Sequence, residues 1–120
     1  VHATTLAYIK IFRVNIGMMR CLMGLGADSK HYRARFHELN RDWNRRVAQA
    51  IAANRGDTSA DAMLPTAYAL GGMIDEFLAQ LYLRRDPALA ALADDEAAVA
   101  DLLSLLWCRG AYGSAAEPRV

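Results

Sequence analysis

The spacing of large apolar residues predicts that this chain is all-α. One set recurs every three or four residues between positions 30 and 54, and it comprises Tyr32, Phe36, Leu39, Trp43, Val47 and Ile51. Such a stripe is typical of an amphipathic helix with one buried face. Asp28 or Ser29 before the stripe and Gly56 after it are residues that favour helix ends. No segment shows the apolar-polar alternation of a half-buried strand, so we expect a helical bundle.

The same reasoning places the other helices. We expect them over residues 3–14, 16–26, 58–85 and 94–112, with a short helical turn near 88–92. Asn15 and Gly17 separate the first two, Thr58 or Ser59 is a suitable N-cap for the fourth, and the Asp86-Pro87 pair ends it. These five main helices leave no internal linker. Residues 1–113 are therefore expected to form a single domain, with a polar tail over residues 114–120.

Two adjacent glycines, Gly71 and Gly72, lie inside the fourth predicted helix, where each costs about 1 kcal/mol relative to alanine. One face of this helix is a normal core face made of Ala67, Leu70, Gly71, Ile74, Leu78 and Leu81. A second face has small residues at its centre and tyrosines at its ends: Tyr68, Gly72, Asp75, Ala79 and Tyr82. Small residues allow another helix backbone to approach closely.

The last predicted helix is also apolar on more than one face, through Val99, Leu102, Leu103, Leu105, Leu106 and Trp107. Two consecutive helices with two apolar faces each favour a symmetric homodimer formed by this helix pair. The interface residues expected at or beside the two-fold axis are Gly72, Asp75, Ala79, Leu103, Leu106 and Trp107. The alternative is that both faces are buried inside a compact monomer.

Composition and charge exclude several functions. The net charge of +1 favours neither nucleic acid nor a membrane surface as a partner. Cys21 and Cys108 are isolated, which is typical of reduced thiols in a cytoplasmic protein. The histidines lack the spacing of a metal site, and the adjacent Asp75 and Glu76 point to different helix faces, so they cannot flank one substrate. We therefore expect no enzyme activity, no cofactor and no metal, and neither a membrane span nor a signal peptide is visible.

Basic residues cluster on the third predicted helix, where Arg33, Arg35, Arg41, Arg45 and Arg46 alternate with Glu38 and Asp42. Pairs three or four residues apart, such as Asp42 with Arg46, are expected to form ion pairs along a solvated face. A nucleic-acid-binding patch would contain fewer acidic residues.

Four segments together resemble a known family. They are YIKIFRVNIGMMRCLM, FHELNRDWNRRVAQAI, ALGGMIDEFLAQLYLRRDP and LLSLLWCRGAYG. Their order and spacing resemble the C-terminal regulatory domain of the tetracycline-repressor-like (TetR) transcription regulators. The resemblance implies that residues 1–113 bind an effector and that the last two helices pack against those of a second copy as a four-helix bundle. Effector binding would then shift two DNA-binding domains and release operator DNA.

The family's helix-turn-helix domain has no counterpart in these residues. The first helix resembles the end of the helix that links the two domains, and its apolar pattern is already under way at His2. The resemblance therefore implies that operator DNA is contacted only through an N-terminal domain encoded before Val1.

The candidate effector site is apolar. The chain has five methionines, whose flexible thioether side chains adapt to varied ligands. The residues expected to line the site are Tyr8, Phe12, Met18, Met19, Met23, Trp43, Tyr68 and Asp75. They favour a largely apolar small molecule with one or two polar groups, which Asp75, Tyr68 or His37 would contact.

Alternatives to an effector site remain open. The methionines can simply fill the core, and Asp75 can be a buried polar group satisfied by a tyrosine. A helical protein-protein interaction module without a small ligand is the main alternative function, and a small helical enzyme is a weaker one. A closed cavity of hundreds of Å³ would favour the sensor, and a filled core the interaction module.

Overall fold

The computed structural model describes residues 1–21 and 30–113, which contain helices and no strand. The elements are α1 (His2–Val14), α2 (Ile16–Arg20), α3 (Lys30–Arg55), α4 (Ala60–Leu78), a π-helical segment (Ala79–Leu83), a 3₁₀ turn (Pro87–Leu89), α5 (Ala90–Ala93) and α6 (Glu96–Tyr112). The all-α prediction is confirmed. The predicted extension of the second helix to residue 26 and the predicted caps Asp28 and Ser29 lie outside the described residues.

Local capping chemistry explains where several helices begin and end. The Ser59 hydroxyl accepts a hydrogen bond of 3.1 Å from the Ala62 amide and starts α4, and the Asp95 carboxylate accepts one of 3.0 Å from the Ala98 amide and starts α6. After α3, Gly56 takes the left-handed conformation with φ 74°, which glycine adopts without steric cost. Arg85 adopts a similar conformation with φ 49°, which is unfavourable for a residue with a Cβ atom.

The fourth helix runs unbroken through both glycines. A Cβ atom at Gly71 would lie 3.4 Å from Asn44 Oδ1 on α3, which is ordinary van der Waals contact. A Cβ atom at Gly72 would have no described neighbour within 4 Å, and Gly72 is exposed. The packing of the described residues therefore leaves room for alanine at both positions.

After Leu78 the helix widens into the π-helical segment, where the Arg84 amide donates to the Ala79 carbonyl five residues earlier at 2.8 Å. The larger hydrophobic cluster surrounds this segment and joins it to α1 and α6. Its buried members are Ile9, Phe12, Leu78, Leu81, Tyr82, Val99, Ala100 and Leu103. A smaller cluster of Ile51, Leu70 and Ala111 joins α3 and α4 to the end of α6.

The predicted core face of the fourth helix is confirmed at Ala67, Leu70, Leu78 and Leu81, which are all buried. The predicted core stripe of α3 is only partly right. Ile51 is fully buried, but Phe36, Leu39 and Trp43 are 36%, 53% and 58% exposed.

The face of α3 that packs on α4 instead carries Asn44, Ala48 and Ile51. Asn44 donates to the Asn40 carbonyl at 2.8 Å, which satisfies a polar group that is otherwise buried at the helix contact. Gly71 lies opposite Asn44 at this contact, since a Cβ atom built on it would be 3.4 Å from Asn44 Oδ1. The larger apolar side chains of α3 are left at the surface.

Candidate functional site

A hydrogen bond between two half-buried side chains joins α1 to α4. The Tyr8 hydroxyl donates to Asp75 Oδ1 at 2.5 Å. No described Lys, Arg or His nitrogen lies within ion-pairing distance of the Asp75 carboxylate. Burial raises the pKa of Asp75 above its ordinary value, and the hydrogen bond from Tyr8 partly opposes that rise. Asp75 is therefore a buried polar group satisfied by a tyrosine, which is one of the two roles left open by the sequence.

Burial also raises the pKa of the Tyr8 hydroxyl, and both the hydrogen bond and the negative charge of Asp75 raise it further. Tyr8 consequently remains a donor throughout the physiological pH range.

Three aromatic rings extend from this pair into the core. The Tyr8 and Phe12 ring centroids are 6.4 Å apart in an edge-to-face arrangement, and Phe12 is also 6.4 Å from Tyr82. The Arg13 guanidinium lies 4.9 Å from the Tyr82 ring centroid and forms an ion pair with Glu96 on α6. The Tyr82 hydroxyl is buried without a hydrogen-bond partner among the described residues, and burial raises its pKa. Met19 packs against the same cluster.

The structure brings together only part of the predicted ligand set. Tyr8, Phe12, Met19 and Asp75 all lie in or against the α1–α4–α6 core or are bonded to it. Three further members lie apart from this core: Met18 is 53% exposed, Trp43 is 58% exposed, and Tyr68 is 39% exposed on the α3 side of α4. The remaining residue, Met23, lies outside the described residues.

Two surface grooves lie on either side of α4, one against α3 and one against α6. One, of about 430 Å³, lies between α3 and α4 and is lined by Ala34, His37, Glu38, Asn40, Arg41 and Tyr68. It brings together two of the three polar groups expected to contact an effector, His37 and Tyr68, while Asp75 lies elsewhere. The groove is open to solvent, so it is not the closed cavity expected of a sensor.

The second groove, of about 280 Å³, lies between α4 and α6 and is almost wholly apolar. Its lining residues are Met73, Glu76, Phe77, Gln80, Leu102, Leu103 and Leu106. The sequence analysis named Leu102 on the second apolar face of the last helix but did not expect the half-buried Met73 and Phe77 at this helix pair. Their spacing at positions 73, 77 and 80 on one helix and 102, 103 and 106 on the next was the available signal.

The predicted dimer residues divide into surface and core. Gly72 is exposed, Leu106 is 40% exposed, and Asp75 and Trp107 are half-buried. Ala79 and Leu103 are 0% and 1% exposed, because both are part of the core around the π-helical segment. Both side chains are therefore buried within the described residues, and their place beside an interface stays a prediction.

Among residues 1–21 and 30–113, no group of three or more His, Cys, Asp or Glu side chains is arranged to hold a metal ion. No helix within these ranges is long and apolar enough to cross a membrane. Comparisons with family models, with curated proteins and with solved structures found no match to this chain.

Proposed function

We propose that this chain is the effector-responsive dimerisation domain of a TetR-like transcription regulator, most simply a repressor. The single observation that carries the proposal is the exposed apolar face formed by α4 and α6. It contains the groove of about 280 Å³, the open surface at Gly72, and three leucines, Leu102, Leu105 and Leu106, that are 36%, 47% and 40% exposed.

A two-fold dimer would cover this exposed apolar face. Exposed leucines on adjacent turns form a contiguous apolar surface, which soluble monomers seldom leave uncovered. Gly72 would allow the α4 backbones of two copies to approach closely, which gives a reason for a glycine that the monomer's own packing does not require. Both copies would present the same surface, as two-fold symmetry demands.

The response to an effector would arise at the Tyr8–Asp75 pair. This hydrogen bond connects α4, on the proposed interface, to α1, which by the family resemblance leads to the DNA-binding domain. A largely apolar ligand whose polar group exchanges with the Tyr8 hydroxyl on Asp75 would change the position of α1 relative to α4. That coupling is a differential contact between two states, which effector control requires. Operator DNA would be contacted only by a further N-terminal domain.

Sedimentation velocity at micromolar concentration tests the dimer. The unaltered chain is expected to sediment with the mass of two chains. Leu106→Asp should shift it towards one chain, because a carboxylate would be buried without a partner. Leu39→Asp is the matched control, since Leu39 is at least as exposed but lies on α3 outside the proposed face. A mass of one chain for the unaltered protein would contradict the proposal.

A helical interaction module that binds no small molecule is the second candidate. It is favoured by the open form of both grooves and by the filled core around Phe12 and Ile9, which are both 0% exposed. Thermal shift against a panel of aromatic and lipid-like compounds separates the two functions. A compound that stabilises the unaltered chain but not Asp75→Asn supports the effector site, whereas no shift with any compound favours the interaction module.

A further inference from the structure

Four side chains with hydrogen-bond donors line the open groove between α3 and α4. On α3 they are the His37 ring, the Asn40 amide and the Arg41 guanidinium, and on α4 the Tyr68 hydroxyl. One nitrogen of a histidine ring is a donor in either neutral tautomer. None of the four side chains donates a hydrogen bond to a described residue. The groove, of about 430 Å³, has a size typical of small-molecule sites, so these donors are placed where a ligand can reach them.

The positive charge of Arg41 is not neutralised within the described residues. Glu38 is the one acidic side chain among the described residues that line the groove, and it forms an ion pair of 3.2 Å with Arg35 instead. Arg41 forms no ion pair with a described residue, and neither does Arg46, so the Asp42–Arg46 pair expected from the sequence is absent. Arg41 is therefore the cation that the groove offers to a ligand.

Hydrogen bonds within α3 determine which end of the Asn40 side chain remains a donor. The Asn44 amide nitrogen donates to the Asn40 backbone carbonyl at 2.8 Å and to Asn40 Oδ1 at 3.2 Å. The side-chain carbonyl of Asn40 thus accepts a hydrogen bond from its own helix, and its amide nitrogen is the end left to donate. The groove therefore offers a ligand mainly donors, which is the reverse of what a cation requires.

We propose that the α3–α4 groove binds the oxyanion group of a small organic molecule, either a carboxylate or a phosphate. An ionised oxyanion accepts hydrogen bonds, so it matches a groove whose uncommitted groups are donors. Hydrogen bonds from a guanidinium to such a group are about twice as strong as neutral ones, and the planar fork of arginine fits both anions. The flat ring of Tyr68 beside its hydroxyl favours an aromatic body attached to the anion.

This site is separate from the effector response and from the dimer. The proposal uses neither the Tyr8–Asp75 pair nor the α4–α6 face, so its outcome does not depend on theirs.

Titrations followed by nuclear magnetic resonance of the isotope-labelled chain test the proposal. The probes are benzoate, phenyl phosphate and benzamide, which share one aromatic ring and differ in the attached group. At least one of the two anions is expected to shift the amide signals of residues 34–41 and 68, and to bind at least about tenfold more tightly than neutral benzamide. The anion that binds more tightly tells whether the groove suits a carboxylate or a phosphate.

Two arginine variants locate the contact. Arg41→Gln is expected to raise the dissociation constant of the tighter anion at least about tenfold, because the charged donor is lost. Arg45→Gln is the matched control, since Arg45 is also exposed on α3, forms no ion pair with a described residue and does not line the groove. It should leave the dissociation constant unchanged. Tyr68→Phe removes one neutral donor and should raise the dissociation constant by a smaller factor of about two to ten.

Three results would overturn the proposal. The first is the absence of any signal shift with both anions, and the second is binding of benzamide as tight as that of the anions. The third is an equal loss of affinity in Arg41→Gln and Arg45→Gln, which would show that the anions respond to the overall charge of α3 and not to the groove.

Discussion

The hydrogen bond between Tyr8 and Asp75 can be tested by Tyr8→Phe, which removes one oxygen and keeps the aromatic ring. Leaving a buried charged acceptor without its donor costs about 1.5–3 kcal/mol. Both side chains are only half-buried, so water can partly replace the hydroxyl, and we expect a loss of about 1–2 kcal/mol near neutral pH. This is a measurable share of a typical domain stability of about 5–15 kcal/mol.

The cost should depend on pH in a defined direction. Burial places the native pKa of Asp75 above its ordinary value of 3.8. As the pH rises from that ordinary value through the native pKa, the ionisation of Asp75 therefore lowers the free energy of unfolding. The Tyr8 hydrogen bond stabilises the ionised form, and removing it raises the native pKa further. The stability difference between the unaltered chain and Tyr8→Phe is therefore largest at neutral pH and shrinks as Asp75 becomes protonated.

Urea unfolding followed by circular dichroism, at one protein concentration, measures the effect at about pH 7 and again near pH 4, close to the ordinary aspartate pKa. Tyr68→Phe on α4 is the control, since the Tyr68 hydroxyl has no described protein partner, and it should cost less than about 0.5 kcal/mol. Adding Asp75→Asn completes a double-mutant cycle whose coupling energy isolates the pair. Equal costs for Tyr8→Phe and Tyr68→Phe, or the same Tyr8→Phe cost at both pH values, would refute the reasoning.

Three further predictions concern packing and backbone conformation. Phe12→Ala should lower the free energy of unfolding by about 3–5 kcal/mol in urea titrations, because Phe12 is 0% exposed at the centre of the larger cluster; a loss below about 1 kcal/mol would contradict this. Arg85→Gly should raise the free energy of unfolding by about 0.5–1 kcal/mol in the same titrations, since the φ of 49° at this position suits glycine. A lower free energy of unfolding would show that the Arg85 side chain stabilises the fold by more than its backbone strain costs. Gly71→Ala and Gly72→Ala should each add up to about 1 kcal/mol of helix propensity, but only Gly72→Ala should raise the dimer dissociation constant in sedimentation equilibrium; equal dimer affinities would place the interface elsewhere.

The helices could be predicted from the sequence because the residues at their ends form local capping interactions. Ser59 and Asp95 accept amide hydrogen bonds, and Gly56 closes α3 in a conformation that other residues avoid. These interactions lie within a few residues of the chain, so sequence patterns record them. The π-helical segment was not predicted, because nothing local in AQLYL distinguishes it from ordinary helix.

The burial of α3 could not be predicted in the same way. Periodicity identifies the face with the largest apolar side chains, which here is the side of Phe36 and Trp43. Packing against α4 instead buries the face with Asn44 and Ala48, which are 4% and 1% exposed, and Gly71 lies opposite Asn44. Which face of α3 is buried depends on the partner helix, so the sequence of a single helix does not determine it.

The candidate site was partly accessible to sequence reasoning. The possibility that a tyrosine satisfies Asp75 followed from its position among large apolar residues, and the structure supplies Tyr8 from 67 residues away. The 53% exposure of Met18 could not be predicted, because α2 has only five residues and so short a helix gives no periodic pattern from which to read its buried face.

The π-helical segment at Ala79–Leu83 has a consequence for how the length of the chain can vary. A π-helical turn holds about one residue more than an α-helical turn between the same flanking positions. Deleting Gln80 should therefore convert the segment to ordinary helix while Leu78 and Arg84 keep their orientations. Deleting Ala69, in regular helix, would rotate everything after it by about 100° and take Leu78 out of the core. Circular dichroism and cooperative unfolding should survive the first deletion and not the second, so the fold tolerates the loss of a residue from this segment but not from the regular helix before it.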